Sequence, residues 1–300
     1  MPDPPRLPDD RAATTGTVAS LDGTPIGYLR MGDGPSVVVC HGSFAAAADW
    51  LPFAAELADS HTVWLYDRRG RGASPLTGPG APVGAAVDVE VDDLAAVLAA
   101  ATARTGPGVA VLGHSFGGGC ALAYAARERF RGPVIAYEPR HSIDGPVSAG
   151  HIPEIRRLLA AGEPEVAVRT ILAKVVGLPE DAVAAFVGSP MWPRMLQTVD
   201  AFPDELEFLD QLTWRPGDLD GIAGPGWLVV GEVSPVLPAD REGALRGVLP
   251  RLRRVVLPGQ GHFGYLSAPA ALAQLVRECL ADPAVHDTGS TASRRGDHVR

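Results

Sequence analysis

A chain of 300 residues is long enough to bury a sizeable core in one large α/β domain or two smaller ones. Hydrophobic residues at 46% and charged residues at 20% are a globular composition, and 35 Gly with 28 Pro forecast many loops without reaching the range of disordered chains. Lys and Arg number 26 against 35 Asp and Glu, and a net charge of −9 with no basic stripe excludes a nucleic-acid partner.

In chain order, residues 1–16 are Pro, Asp, Arg and Thr with few large apolar groups, which cannot repay the entropy of ordering, so a mobile tail is expected. Nothing in MPDPPRLPDDRAATTG could serve as a signal peptide, and no run of 18 apolar residues occurs anywhere. Cys40, Cys120 and Cys279 are odd in number and widely spaced, which suggests neither a disulfide framework nor a zinc site. A soluble, cytoplasmic protein without a membrane partner is the expectation; oligomeric state is left open.

Residues 17–31 read as an antiparallel hairpin turning at Asp22-Gly23. Short apolar runs then follow at 36–40, 62–66, 109–112 and 133–137, and again at 227–230 and 254–257, which suits strands of a parallel sheet covered on both faces. Helical periodicity lies between them, clearest in Val87, Val91, Leu94, Leu98 and Ala101, and in Leu272, Leu275, Val276, Cys279 and Leu280. The alternation predicts an α/β fold with a mostly parallel, doubly wound sheet. It breaks from about 140 to 222, where no strand is expected and helical stretches fall at 155–159, 166–176, 182–187 and 191–212. The expected organisation is a core of 17–139 and 223–282, a helical cap of 140–222 over the sheet's carboxyl edge, and a second tail from 283 to 300.

Chemistry concentrates in Gly113-His114-Ser115-Phe116-Gly117, a G-x-S-x-G following a strand and opening a helix, the setting of a nucleophile elbow. The sharp turn strains Ser115, and glycines at 113 and 117 let neighbouring segments pass. A serine hydroxyl is a weak nucleophile until a base takes its proton. His262, in the loop Pro258-Gly-Gln-Gly-His262-Phe-Gly after the last strand, is the candidate base. There is no HxH, HExxH, Walker loop or dinucleotide fingerprint, so no metal and no cofactor is expected.

Over residues 17–281 these motifs, with His41-Gly42-Ser43-Phe44 and Asp67-Arg-Arg-Gly70-Arg-Gly72-Ala-Ser74, resemble the α/β-hydrolase superfamily. The resemblance implies an oxyanion hole formed by the backbone N–H groups of Phe116 and Ser43, with His41 and Asp67 shaping their turns. It also exposes a departure. The family usually places an aspartate after the strand at 227–230, but this chain reads Gly231-Glu232-Val233-Ser234-Pro235, with Ser234 about where the acid would be. Glu138, ending the strand at 133–137 as in certain haloalkane dehalogenases, is the favoured acid, and Glu232 is the alternative. A structural role for Glu138, such as a salt bridge to Arg140, competes with both.

The cap segment carries Phe186, Met191, Trp192, Met195, Leu196, Val199, Phe202 and Phe208. Its apolar stripe serves cap packing, a pocket, or both, and Phe44, Trp192, Met195 and Phe263 are the side chains expected to meet substrate. The expected activity is hydrolysis of an ester, thioester or lactone of a small hydrophobic molecule through an acyl-enzyme on Ser115. A biosynthetic lyase or cyclase using the same Ser and His, and a non-enzymatic ligand receptor on the same fold, are the competing readings. A serine rather than an aspartate at the elbow argues against epoxide hydrolysis or dehalogenation.

Overall fold

The computed structural model describes residues 13–76, 86–189 and 191–282, omitting the side chains of 86 and 87. Most of the two expected tails, and the Val87 side chain in the predicted stripe, lie outside these residues. Among the described residues, eight strands form one sheet in the order β1-β2-β4-β3-β5-β6-β7-β8: β1 (Thr14–Ala19), β2 (Pro25–Met31), β3 (Ser36–Cys40), β4 (Thr62–Tyr66), β5 (Ala110–His114), β6 (Val134–Tyr137), β7 (Gly226–Gly231) and β8 (Arg253–Leu257). Only β1 on β2 and β2 on β4 run antiparallel. The fold is therefore the expected mostly parallel α/β sheet, with the hairpin at one edge.

The hairpin corrects one boundary. Thr14, Thr15 and Gly16, assigned to the tail, pair with Arg30, Leu29 and Tyr28. Polar composition hid this because β1 is an edge strand with an exposed face, where threonine pairs well and apolar residues are not required.

The central strands alternate their side chains between two apolar layers, which is why their sequences are apolar throughout. Val38, Cys40, Trp64 and Tyr66 face α2 (Ala86–Thr105) and α3 (Phe116–Arg127), while Val37, Val39, Val63 and Leu65 face α1 (Leu51–Leu57) and α11 (Pro269–Leu280). Burying each such side chain contributes roughly 1.5–3 kcal/mol.

Between β6 and β7 come α4 (Ile152–Ala160), α5 (Pro164–Thr170) running into a π-turn at Ile171–Val175, α6 (Glu180–Val187), α7 (Met191–Thr198) and α8 (Phe202–Gln211). The single helix expected over 191–212 is broken by a 3-10 turn at Val199–Ala201, and Pro203 in the first turn of α8 fits that restart. This insertion has its own apolar cluster, including Ile155, Val168, Ile171, Met195, Val199, Phe202 and Leu206, joined by Phe44 from the loop after β3. Helix α8 belongs to two layers, since its Phe208 and Leu209 pack into the sheet-side core. After β7, α9 (Ala239–Val248) covers the sheet, and α10 (Gly264–Ser267) precedes α11. Among the described residues no helix is long and apolar enough to cross a membrane.

Candidate active site

Strand β5 ends at His114 and α3 begins at Phe116, so Ser115 alone makes the turn, at φ 54° and ψ −118°. A non-glycine residue held there is strained, and the surroundings over-determine it. The Ser115 amide donates to the Tyr137 carbonyl at 2.9 Å, and its carbonyl accepts from the amides of Gly118 and Arg140, both at 3.0 Å. The flanking glycines are required by contact: a Cβ on Gly117 would lie 2.1 Å from the Cys40 carbonyl oxygen, and one on Gly113 2.3 Å from the Gly117 oxygen.

Two residues that sequence reasoning passed over position the histidine loop. His114 Nε2 lies 2.8 Å from the His262 carbonyl, and the Tyr137 hydroxyl donates to the Gly261 carbonyl while accepting from the Gly264 amide at 3.2 Å. Burial first, and His262 second, hold the His114 pKa well below the ordinary histidine value, so His114 is a neutral ring whose N–H serves as the donor. The only signal in the sequence was adjacency, since His114 precedes Ser115 and Tyr137 precedes Glu138.

The carboxylate that reaches His262 is Glu138. Its Oε2 lies 2.7 Å from His262 Nδ1 and accepts the Ser234 hydroxyl at 2.8 Å, while Oε1 accepts the Gly231 amide at 2.8 Å. Glu138 is buried, with φ 43°, a second left-handed non-glycine residue at the strand ends. It makes no salt bridge to Arg140. Glu232 is elsewhere, accepting the Gly259 amide at 2.7 Å on the exposed side of the loop. Ser234 thus stands where an aspartate was expected and supplies a hydrogen bond to a carboxylate arriving from the neighbouring strand.

Opposite the elbow, the backbone of Gly42-Ser43 runs against Ser115, since a Cβ on Gly42 would come within 3.0 Å of the Ser115 Cβ. Phe116 opens α3, so its amide is among the orphan donors of the first turn. The loop is held from below. His41 Nδ1 meets the Gly42 carbonyl at 2.9 Å and its Nε2 accepts the Arg68 amide at 3.2 Å, and burial keeps this ring neutral too. The Asp67 carboxylate accepts the amides of Ala47 and Ala73, a turn-forming role. The Arg68 guanidinium lies 3.8 Å over the Phe116 ring and binds Glu90 at 2.8 Å and Glu205 at 2.5 Å. Glu205, from α8, also binds Arg71 at 2.6 Å.

Ser43, Phe44, Ser115, His262 and Phe263 share the wall of one cavity of about 420 Å³, closed from the insertion by Leu172, Val175, Phe186, Met191, Met195, Phe202 and Leu206. Phe44 stacks on Phe202 with ring centres 4.7 Å apart. Of the four side chains expected to meet substrate, Phe44, Met195 and Phe263 line the cavity. Trp192 does not: it is buried in the insertion's own cluster, with the Arg169 guanidinium 5.4 Å over its ring. Phe208 likewise packs on Phe116, at 4.8 Å. Helical spacing marks an apolar face without distinguishing its pocket side from its packing side.

Comparison with known proteins agrees with this fold. A profile of the alpha/beta hydrolase family matches residues 37–275. The chain is similar to an alpha/beta hydrolase from Sphaerobacter thermophilus DSM 20745, at 32% identity and a TM-score of 0.76, over 89% of this chain and 100% of that one. A thermophilic esterase from Thermogutta terrifontis, with malate bound, superimposes at 22% identity and a TM-score of 0.69 over 91% and 100% of the two chains. The enol-lactonase of Burkholderia xenovorans LB400 does so at 18% and 0.67, over 89% and 100%. These last two likenesses speak to the fold. No curated protein matched.

Proposed function

The chain belongs to the alpha/beta hydrolase family, and from that premise we propose that it is a serine hydrolase cleaving an ester, thioester or lactone of a small, largely hydrophobic molecule through an acyl-enzyme on Ser115. The observation that carries this reading is the 2.7 Å contact between His262 Nδ1 and Glu138, in the cavity that Ser115 and His262 both line. With Nδ1 committed to Glu138, Nε2 is the nitrogen left to take the Ser115 proton. The Ser115 oxygen attacks the carbonyl carbon, and the oxyanion is held by the amides of Phe116 and Ser43. Protonated His262 returns its proton to the departing alkoxide or thiolate, or to the ring oxygen of an opened lactone. Water, deprotonated by the same imidazole, then releases the acid and restores Ser115.

Glu138 would act by fixing the tautomer of His262 and stabilising its charged form, the role of the acid in a serine triad. Each oxyanion donor is worth about 3–4 kcal/mol of transition-state stabilisation. A cavity of about 420 Å³ walled by Leu, Val, Met and Phe supports a medium-sized apolar group on the substrate. The helices between β6 and β7, lying over the elbow, support a cap that shapes this pocket.

The reading is tested by intact-protein mass after fluorophosphonate treatment: one adduct on the wild type and none on Ser115→Ala is expected, and an unmodified, folded wild type would overturn it. Glu138→Gln should lower kcat by about two to four orders of magnitude, while Glu232→Gln stays within about twofold. The opposite ranking would reassign the acid.

A further inference from the structure

Arg140 stands two residues after Glu138 and donates its backbone N–H to the carbonyl of Ser115 at 3.0 Å. It forms part of the wall of the Ser115 cavity and also of a second cavity of about 440 Å³, and the two share Arg140, Val147, Val175, Val176 and Val236. Its side chain is half-buried and is treated unlike the buried arginines. Arg68, Arg69 and Arg71 are each paired with buried or part-buried carboxylates. Among the described residues Arg140 has none. Both Glu138 oxygens are occupied by Gly231, Ser234 and His262, and the exposed Asp144 on the same wall acts on His141.

The other groups around the second cavity do not neutralise it. Burial first, and Arg140 second, push the His141 pKa down to about 4, so this ring is neutral at pH 7, and Lys174 is engaged by Glu154 at 2.9 Å. The charge that acts on Arg140 is another cation, Arg241. Burial followed by that repulsion pushes the Arg140 guanidinium down to about 10, still charged at neutral pH. A half-buried cation without a counter-charge carries a cost, and in a cavity wall the missing anion is one that arrives with a ligand.

We propose that Arg140 receives a free carboxylate of the substrate, so that the favoured substrate is a small ester, thioester or lactone carrying a second, ionised carboxyl group across an apolar spacer. This rests on the hydrolase reading above and adds the substrate class. The apolar wall built by Met195, Phe202 and Leu172 takes the spacer, and the guanidinium fixes its far end, which sets how the reacting carbonyl faces Ser115. A guanidinium suits this task because its planar fork binds a carboxylate through two parallel hydrogen bonds.

The test measures binding by calorimetry to Ser115→Ala protein, which cannot acylate, using monomethyl succinate, glutarate and adipate against their dimethyl esters. At one of these lengths the monoanion should bind roughly ten- to a hundredfold tighter, the range expected for charge-assisted hydrogen bonds. Arg140→Gln in the same background should bring that ratio to about one, and Arg140→Lys should retain part of it. A ratio near one across the series, or a preference surviving Arg140→Gln in a protein of unchanged circular dichroism, overturns the proposal. Hydrolysis of the same monoesters by the wild type is read separately. Tight Arg140-dependent binding with the ester left intact would uphold the carboxylate receptor and overturn the serine chemistry. Turnover lost in Ser115→Ala but indifferent to the carboxylate would do the reverse.

Discussion

On one side of Ser115, Arg68, Arg69 and Arg71 lie buried in a lattice of carboxylates from β-turns and helices, with Glu90, Asp93 and Glu205 each accepting a guanidinium within 2.8 Å. On the other side Arg140 faces two cavities and a second arginine, without a carboxylate. The first group is charge that the fold consumes internally, tying α2 and α8 to the turn beneath the Gly42-Ser43 loop. The second is charge that the fold leaves unspent, at a place a small molecule can reach.

The largest effect expected from this contrast is in the lattice. Glu205→Ala removes the carboxylate shared by Arg68 and Arg71 and leaves Arg71 buried without a counter-charge, so urea denaturation should show a loss of about 3–5 kcal/mol. Activity should fall as well, because Arg68, which lies over the Phe116 ring and donates to the Gly42 carbonyl at 3.4 Å, loses one of its two carboxylates. The effect has a defined pH sense. Burial tends to raise the Glu205 carboxyl, but Arg71 and Arg68 together hold it below the ordinary value near 4.5. A group depressed in the folded state adds stability above its unfolded pKa and loses it as pH falls. The wild type should therefore weaken below about pH 4.5 more steeply than Glu205→Gln, measured by thermal melts across pH 3–6. The smallest effect is the most diagnostic. Arg140→Met should leave stability unchanged or raise it by about 1 kcal/mol, since it removes an uncompensated charge. A loss above about 2 kcal/mol would mean that Arg140 is spent on structure after all.

These two regions also differ in how far they could be read from the sequence. The sheet was readable because each strand is a local apolar run and each helix a local stripe, and the elbow because strand, G-x-S-x-G and helix are contiguous. The strand at Thr14–Ala19 began earlier than its polar composition suggested, since edge pairing depends on a partner strand rather than on apolar content. Spacing could not decide between Glu138 and Glu232. The hydrogen bonds that favour Glu138 span 96 and 124 residues, from Ser234 and His262 to one carboxylate. Trp192 failed as a pocket residue for a related reason: which side of a helix meets a cavity is set by the neighbouring helices. The isolation of Arg140 was invisible for the same cause, because the absence of a partner is a property of the assembled molecule.

The three-residue segment Glu138-Pro139-Arg140 has a consequence for remodelling. On the readings proposed above it carries the acid that steadies the base and the cation that sorts substrates, with its third residue pinned by its amide to the nucleophile's carbonyl. Reactivity and selectivity are then linked in one short stretch of chain, and directed evolution at 138–140 cannot retune one without risking the other. Variation confined to the insertion, at Leu172, Met195 and Phe202, leaves that stretch untouched, and libraries seeking new substrates should begin there.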